Sequence, residues 1–143
     1  MTRRTLQHLG HVALSLDEVD ALIVVGLFAA SSDGRIDEAE LRELVTDLDA
    51  LGILDDLSEE EREDEVTRLV GLCDREGLRP MMGTALTLLN GPARETAFAL
   101  TLRVLIADGL LPDVEFDYLR ELRTVLGISD EQFERLTRAA ATR

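Results

Sequence analysis

"ALIVVGLFAASSDGRIDEAELRELVTDLDALGI", residues 21 to 53, decides the fold. Its first ten residues are apolar nearly all round, an Asp-Gly turn follows, and beyond Asp37 the apolar residues Leu41, Leu44, Val45, Leu48 and Leu51 recur at helical spacing. Recurrence every three to four residues marks one buried helix face, whereas an all-apolar helix belongs inside a core. Asp37 and Glu40 suit the two ends of a capping box, and Gly52 suits a helix C-terminal stop. The stretch therefore predicts a core helix, a corner and an amphipathic helix.

The same plan is written a second time. Adding 75 to the residue numbers carries Asp33-Gly34 onto Asp108-Gly109, Glu40 onto Glu115, Leu44 onto Leu119, and Leu51-Gly52-Ile53 onto Leu126-Gly127-Ile128 without a gap. Residues 33 to 56 contain 8 identities to 108 to 131, and the apolar run 21 to 30 overlaps "AFALTLRVLIA", 97 to 107, with Leu22 falling on Ala97. Each half needs the other, or the segment between, to cover its apolar faces. The expectation is an all-α, single-domain bundle of about seven helices with an internal pseudo-symmetric repeat. Its halves run from 17 to 57 and 92 to 137, with a helical insert at 58 to 91.

Local signals agree. Four capping-box patterns occur, Ser15 to Glu18, Asp37 to Glu40, Ser58 to Glu61 and Ser129 to Gln132, each predicting a helix start. Val66, Leu69, Val70 and Cys73 form the stripe of the insert's first helix, which ends near Gly77. Pro80 is placed to open the next, and Asn90-Gly91-Pro92 to stop it. Phe116, Leu119, Leu122 and Leu126, then Phe133 and Leu136, supply the last two stripes.

Charge narrows the function. The chain of 143 residues carries 29 acids against 15 bases, a net of −14. Such a field repels phosphate backbones and anionic headgroups, so neither nucleic acid nor a membrane surface is an expected partner. All 15 bases are arginine, scattered along the chain, and no lysine is present for Schiff-base chemistry. The single cysteine, Cys73, excludes an intrachain disulfide and falls on an apolar helix face, as a structural thiol does. The N-terminus lacks a signal-peptide pattern, and the apolar runs of about ten residues are half the length a bilayer requires. A cytoplasmic location is expected.

The Asp-Gly corners are the candidate chemistry. With Asp33 at the fifth position of a calcium loop, Asp37 falls ninth and Glu40 twelfth, but the first half of that loop is absent. Two such half-sites facing each other would gather Asp33, Asp37, Glu40, Asp108, Asp113 and Glu115, a set of oxygens suited to calcium or magnesium. The same residues also explain themselves as helix-to-helix corners: glycines at left-handed positions, a capping box, and acids in a first helical turn.

Taken together, "SDGRIDEAEL", "LSEEEREDEVTRLVGLCDREG" and "IADGLLPDVEFDYLRELRTVLGISDEQFERL" resemble the TerB-like domain, across residues 17 to 137. The resemblance implies an all-helical, non-enzymatic protein associated with tellurite and chemical-stress resistance. It also implies divalent-cation binding at Asp33, Asp37, Glu40, Asp108 and Glu115, and contact with protein partners. Pro112 stands where the first half has Asp37, so the second half-site depends on Asp113.

Other residues point to less. His8 and His11 have the spacing of a zinc pair but no third ligand nearby. The acid run from Asp55 to Glu65 reads as a solvated helix start or as a docking surface for a basic partner. Ser31, Ser32 and Thr84 have no neighbouring base, and no phosphate-binding glycine loop occurs, so nothing supports a hydrolase or a nucleotide site. "LGISDEQFERLTR" opens like a recognition helix, but its first turn is acidic, which argues against DNA binding.

Overall fold

The computed structural model describes residues 16–31, 36–107 and 116–141. Among them run seven helices: α1 (Glu18–Ala30), α2 (Glu38–Ala50), α3 (Glu59–Glu76), α4 (Leu78–Leu88), α5 (Pro92–Ala107), α6 (Phe116–Leu126) and α7 (Asp130–Ala141). No strand occurs among the described residues, so the all-α expectation holds.

The two apolar runs become the two spines of the bundle. α1 is packed by α2, α3, α4 and α5, and every residue from Ala21 to Leu27 is buried. α5 meets α1, α2, α6 and α7, burying Ala97, Phe98, Leu100 and Leu102. Residues that are apolar on all sides have no solvent face to offer, which is why these helices sit where neighbours surround them. Gly26 sets their spacing. A Cβ there would lie 2.6 Å from Leu44 Cδ1 and 3.1 Å from Leu100 Cδ2, so α1, α2 and α5 approach closely because Gly26 has no side chain.

The amphipathic helices cover these spines with one face each. Leu44 and Leu48 of α2, Val66, Leu69 and Cys73 of α3, and Leu119, Leu122 and Leu126 of α6 are all buried. On α7, Phe133 packs its ring 5.8 Å from that of Phe98, while Arg123 of α6 lies 4.8 Å above its centroid.

Three of the four capping boxes form as the spacing predicts. Asp37 with Glu40, Ser58 with Glu61 and Ser129 with Gln132 each exchange two side-chain to backbone bonds, between 2.7 and 3.1 Å. The first is corrected. The N-cap of α1 is Asp17, whose Oδ1 accepts from the Asp20 N–H at 2.9 Å while Asp20 Oδ2 accepts from the Asp17 N–H at 3.1 Å. Ser15 lies outside the described residues, and Glu18 accepts from the Asn90 N–H instead, at 3.4 Å. Pro80 is corrected too. α4 opens at Leu78 with Gly77 as its cap, and Pro80 takes the third helical position, where its missing N–H has no intrahelical partner to lose.

The exits of α2 and α6 match bond for bond. Gly52 and Gly127 adopt φ of 75° and 70°. Ile53 N–H donates to Leu48 O at 3.1 Å, and Ile128 N–H to Arg123 O at 3.0 Å, a Schellman closure in each case. The scattered arginines also acquire a use. Arg62, Arg94 and Arg123 each direct Nε to a carbonyl five residues away, Leu57, Leu89 and Ile128, at 3.0 to 3.1 Å. Arg94 Nη1 reaches Leu126 O as well, at 3.3 Å, two bonds from one planar fork that an ammonium does not reproduce.

Candidate functional site

The corner acids were the first candidates, and two of the six are described. Asp37, exposed ahead of α2, accepts at Oδ1 from the Glu40 N–H at 2.7 Å, and Glu40 Oε1 accepts from the Asp37 N–H at 2.9 Å. Each carboxylate thus aims one oxygen at the backbone of its own helix start. A hard cation requires about six oxygens converging on one point. No group of three or more metal-type side chains has that arrangement among the described residues, so the described pair does not by itself fit a cation. Asp33, Asp108, Asp113 and Glu115 lie outside the described residues, as do His8 and His11.

A second acidic constellation went unseen in the sequence. Asp20 is fully buried at the start of α1, and Glu65 of α3 is 5% exposed beside it. Arg68 Nη2 bonds both, Asp20 Oδ2 at 3.0 Å and Glu65 Oε2 at 2.6 Å. Burial pushes the Asp20 carboxyl up to about 8. A hydrogen bond with Glu65 and the charges of Asp17 and Glu65 push the same way, against a smaller opposing pull from the Asp17 backbone. Two carboxyls joined by a hydrogen bond need a proton between them, which is the direction in which the Asp20 carboxyl is pushed. The acid run 55 to 65 is accordingly solvated at its start and buried at its end: Glu59, Glu60 and Glu61 are exposed, Glu65 is not. One signal was available, since Glu65 directly precedes Val66 and stands four residues before Leu69, at the edge of the apolar stripe.

Cys73 is buried, and desolvation followed by the charge of Asp74 raises its thiol to about 11. It is a packing group with no thiolate character at neutral pH.

A concavity runs between α2 and α3. Its floor is Leu41 and Val45 from α2 and Val66 from α3, and its rim carries Glu38, Glu59, Glu60 and Glu63. Arg42 and Arg62 stand on the same walls. Arg62 is anchored, with Nη1 3.0 Å from Asp49 Oδ1 and Nε on Leu57 O. A shallower depression beside it includes Asp37 and Glu40 together with Arg42 and Glu43. Neither contains a nucleophile paired with a base. Comparison of the chain with family models, with curated proteins and with solved structures returns no match. Among the described residues no helix is long and apolar enough to cross a membrane.

Proposed function

We propose that this chain is a non-enzymatic acidic helical module, TerB-like in kind, that holds a protein partner in a tellurite or chemical-stress response. The observation that carries this reading is the open α2–α3 groove, apolar at its floor and acidic at its rim, on a chain of net charge −14. Grooves of that composition bind by combining desolvation of the floor with charge steering at the edge. The stress context rests on the TerB-like resemblance alone. The test is retention of proteins from stressed cells on the immobilised chain in the presence of EDTA. Release is expected at about 0.5 M salt, where the Debye length is only about 4 Å. Retention no greater than on an unrelated acidic helical protein rejects the reading.

A second reading is favoured by the matching exits of α2 and α6. Two helices that end alike, 75 residues apart, are each preceded in sequence by an Asp-Gly corner, so the acids of the corners come as a pair. In this reading Asp33, Asp37, Glu40, Asp108, Asp113 and Glu115 bind a divalent cation of the calcium or magnesium class. Titration calorimetry should then show saturable heats that disappear in Asp33→Asn with Asp108→Asn. Unchanged heats in the double variant reject the site.

A further inference from the structure

We infer that the occupant of the α2–α3 groove is a cationic amphipathic helix of another protein, an inference that rests on the protein-holding reading above. The backbone argues for a helix. No sheet edge is present among the described residues to accept an added strand, and an apolar floor between two helices suits the helix-in-groove mode, read through apolar anchors one turn apart. The floor has that spacing. Leu41 and Val45 stand four residues apart on α2, half-buried against the core and open to the groove, and Val66 of α3, only 6% exposed, closes its base.

Charge argues for a basic partner and against a second copy. Four glutamates against two arginines line the walls, and one of those arginines is already paired with Asp49. Glu59 and Glu63, four residues apart and exposed, form a stripe along the α3 wall that lysines or arginines on one flank of a docked helix would meet. Rim pairs of this kind add little affinity each, but they set orientation and association rate. A second copy would bring another −14 to the encounter and be repelled.

Fluorescence anisotropy tests the inference on the full chain, with a labelled synthetic helix carrying leucines at i, i+4 and i+7 and lysines elsewhere as the probe. Saturable one-to-one binding is expected, with a scrambled peptide of identical composition at least about tenfold weaker. Glu59→Lys with Glu63→Lys should weaken the helical peptide about tenfold. Glu121→Lys with Glu131→Lys changes net charge equally at exposed sites on α6 and α7 and should leave affinity within about twofold. Val45→Ser should weaken binding while leaving its salt dependence intact. Equal binding of the scrambled peptide, or equal losses in the two double variants, overturns the inference in favour of undirected charge attraction. Self-association in the ultracentrifuge that Val45→Ser abolishes overturns it in favour of a second copy. If the peptide fails while the immobilised chain still retains proteins, the partner chemistry is wrong and the protein-holding reading stands. If both fail, both are withdrawn.

Discussion

Two of the charged junctions between the described helices differ in the groups they bring together. At the α2–α5 junction one carboxylate meets one guanidinium, Asp47 Oδ1 to Arg103 Nε at 3.1 Å, both largely buried. At the α1–α3 junction two carboxyls, Asp20 and Glu65, share Arg68. At the second, burial of Asp20 and its hydrogen bond with Glu65 raise the Asp20 carboxyl to about 8. Burial of a carboxyl beside a second carboxyl thus makes the α1–α3 contact responsive to pH.

The largest expected effect breaks the α1–α3 junction. Arg68→Leu removes the guanidinium that bonds both buried carboxyls and should lower stability by about 3 kcal/mol, measured by urea unfolding at pH 7. Arg103→Met should lose less, about 2 kcal/mol, because Asp47 keeps some solvent contact. Asp47→Leu with Arg103→Met should recover most of that loss, since an apolar pair can replace a balanced ion pair. A double variant as poor as the single one would show that the pair itself, not the orphaned charge, stabilises α2 against α5.

The pH profile sharpens the contrast. A carboxyl whose folded value of about 8 lies above its usual 3.8 gives a stability contribution that is full below the usual value and declines as pH rises to the folded value. The melting temperature should therefore fall between about pH 4 and pH 8 and then level off. Asp20→Asn keeps a hydrogen-bond donor toward Glu65 without an ionisable group, so it should flatten that slope, and at pH 8 should melt no lower than the parent. A slope unchanged in Asp20→Asn would assign it to other groups. The smallest effect belongs to Glu95 of α5, which bonds Gln132 and Arg135 of α7. Those contacts, Gln132 first and Arg135 next, hold its carboxyl below the usual range, so their contribution fades only as pH falls through that lowered value. Because both partners are partly solvated, Glu95→Gln should change stability by less than about 1 kcal/mol.

The junctions also show where local reading ends. Helix identity, three of four caps and the glycine exits were legible because each depends on residues within one turn. The Asp20 junction was not, since Arg68 stands 48 residues from Asp20 and no spacing rule links them. The misplaced first cap has a similar origin. Ser15 to Glu18 and Asp17 to Asp20 both satisfy the three-residue rule for a cap and a returning acid, and local pattern does not rank them. Burial of Asp20 against α3 accompanies the second. At the corner, Asp37 and Glu40 were readable as a capping box from sequence, and the structure contains it. The groove was invisible because it depends on how α2 and α3 lie side by side, not on either stripe alone.

Cys73 gives the bundle an internal clock. It is the chain's only thiol, it is buried within α3, and its proton is held to about pH 11, so a thiol reagent reacts at that position only while the surrounding packing is open. The reaction rate, divided by that of free cysteine, reports how often α3 loosens. A single colour-forming reagent thus reads, in the unmodified protein, the opening of the helix that supplies both Glu65 to the core and Glu63 to the groove.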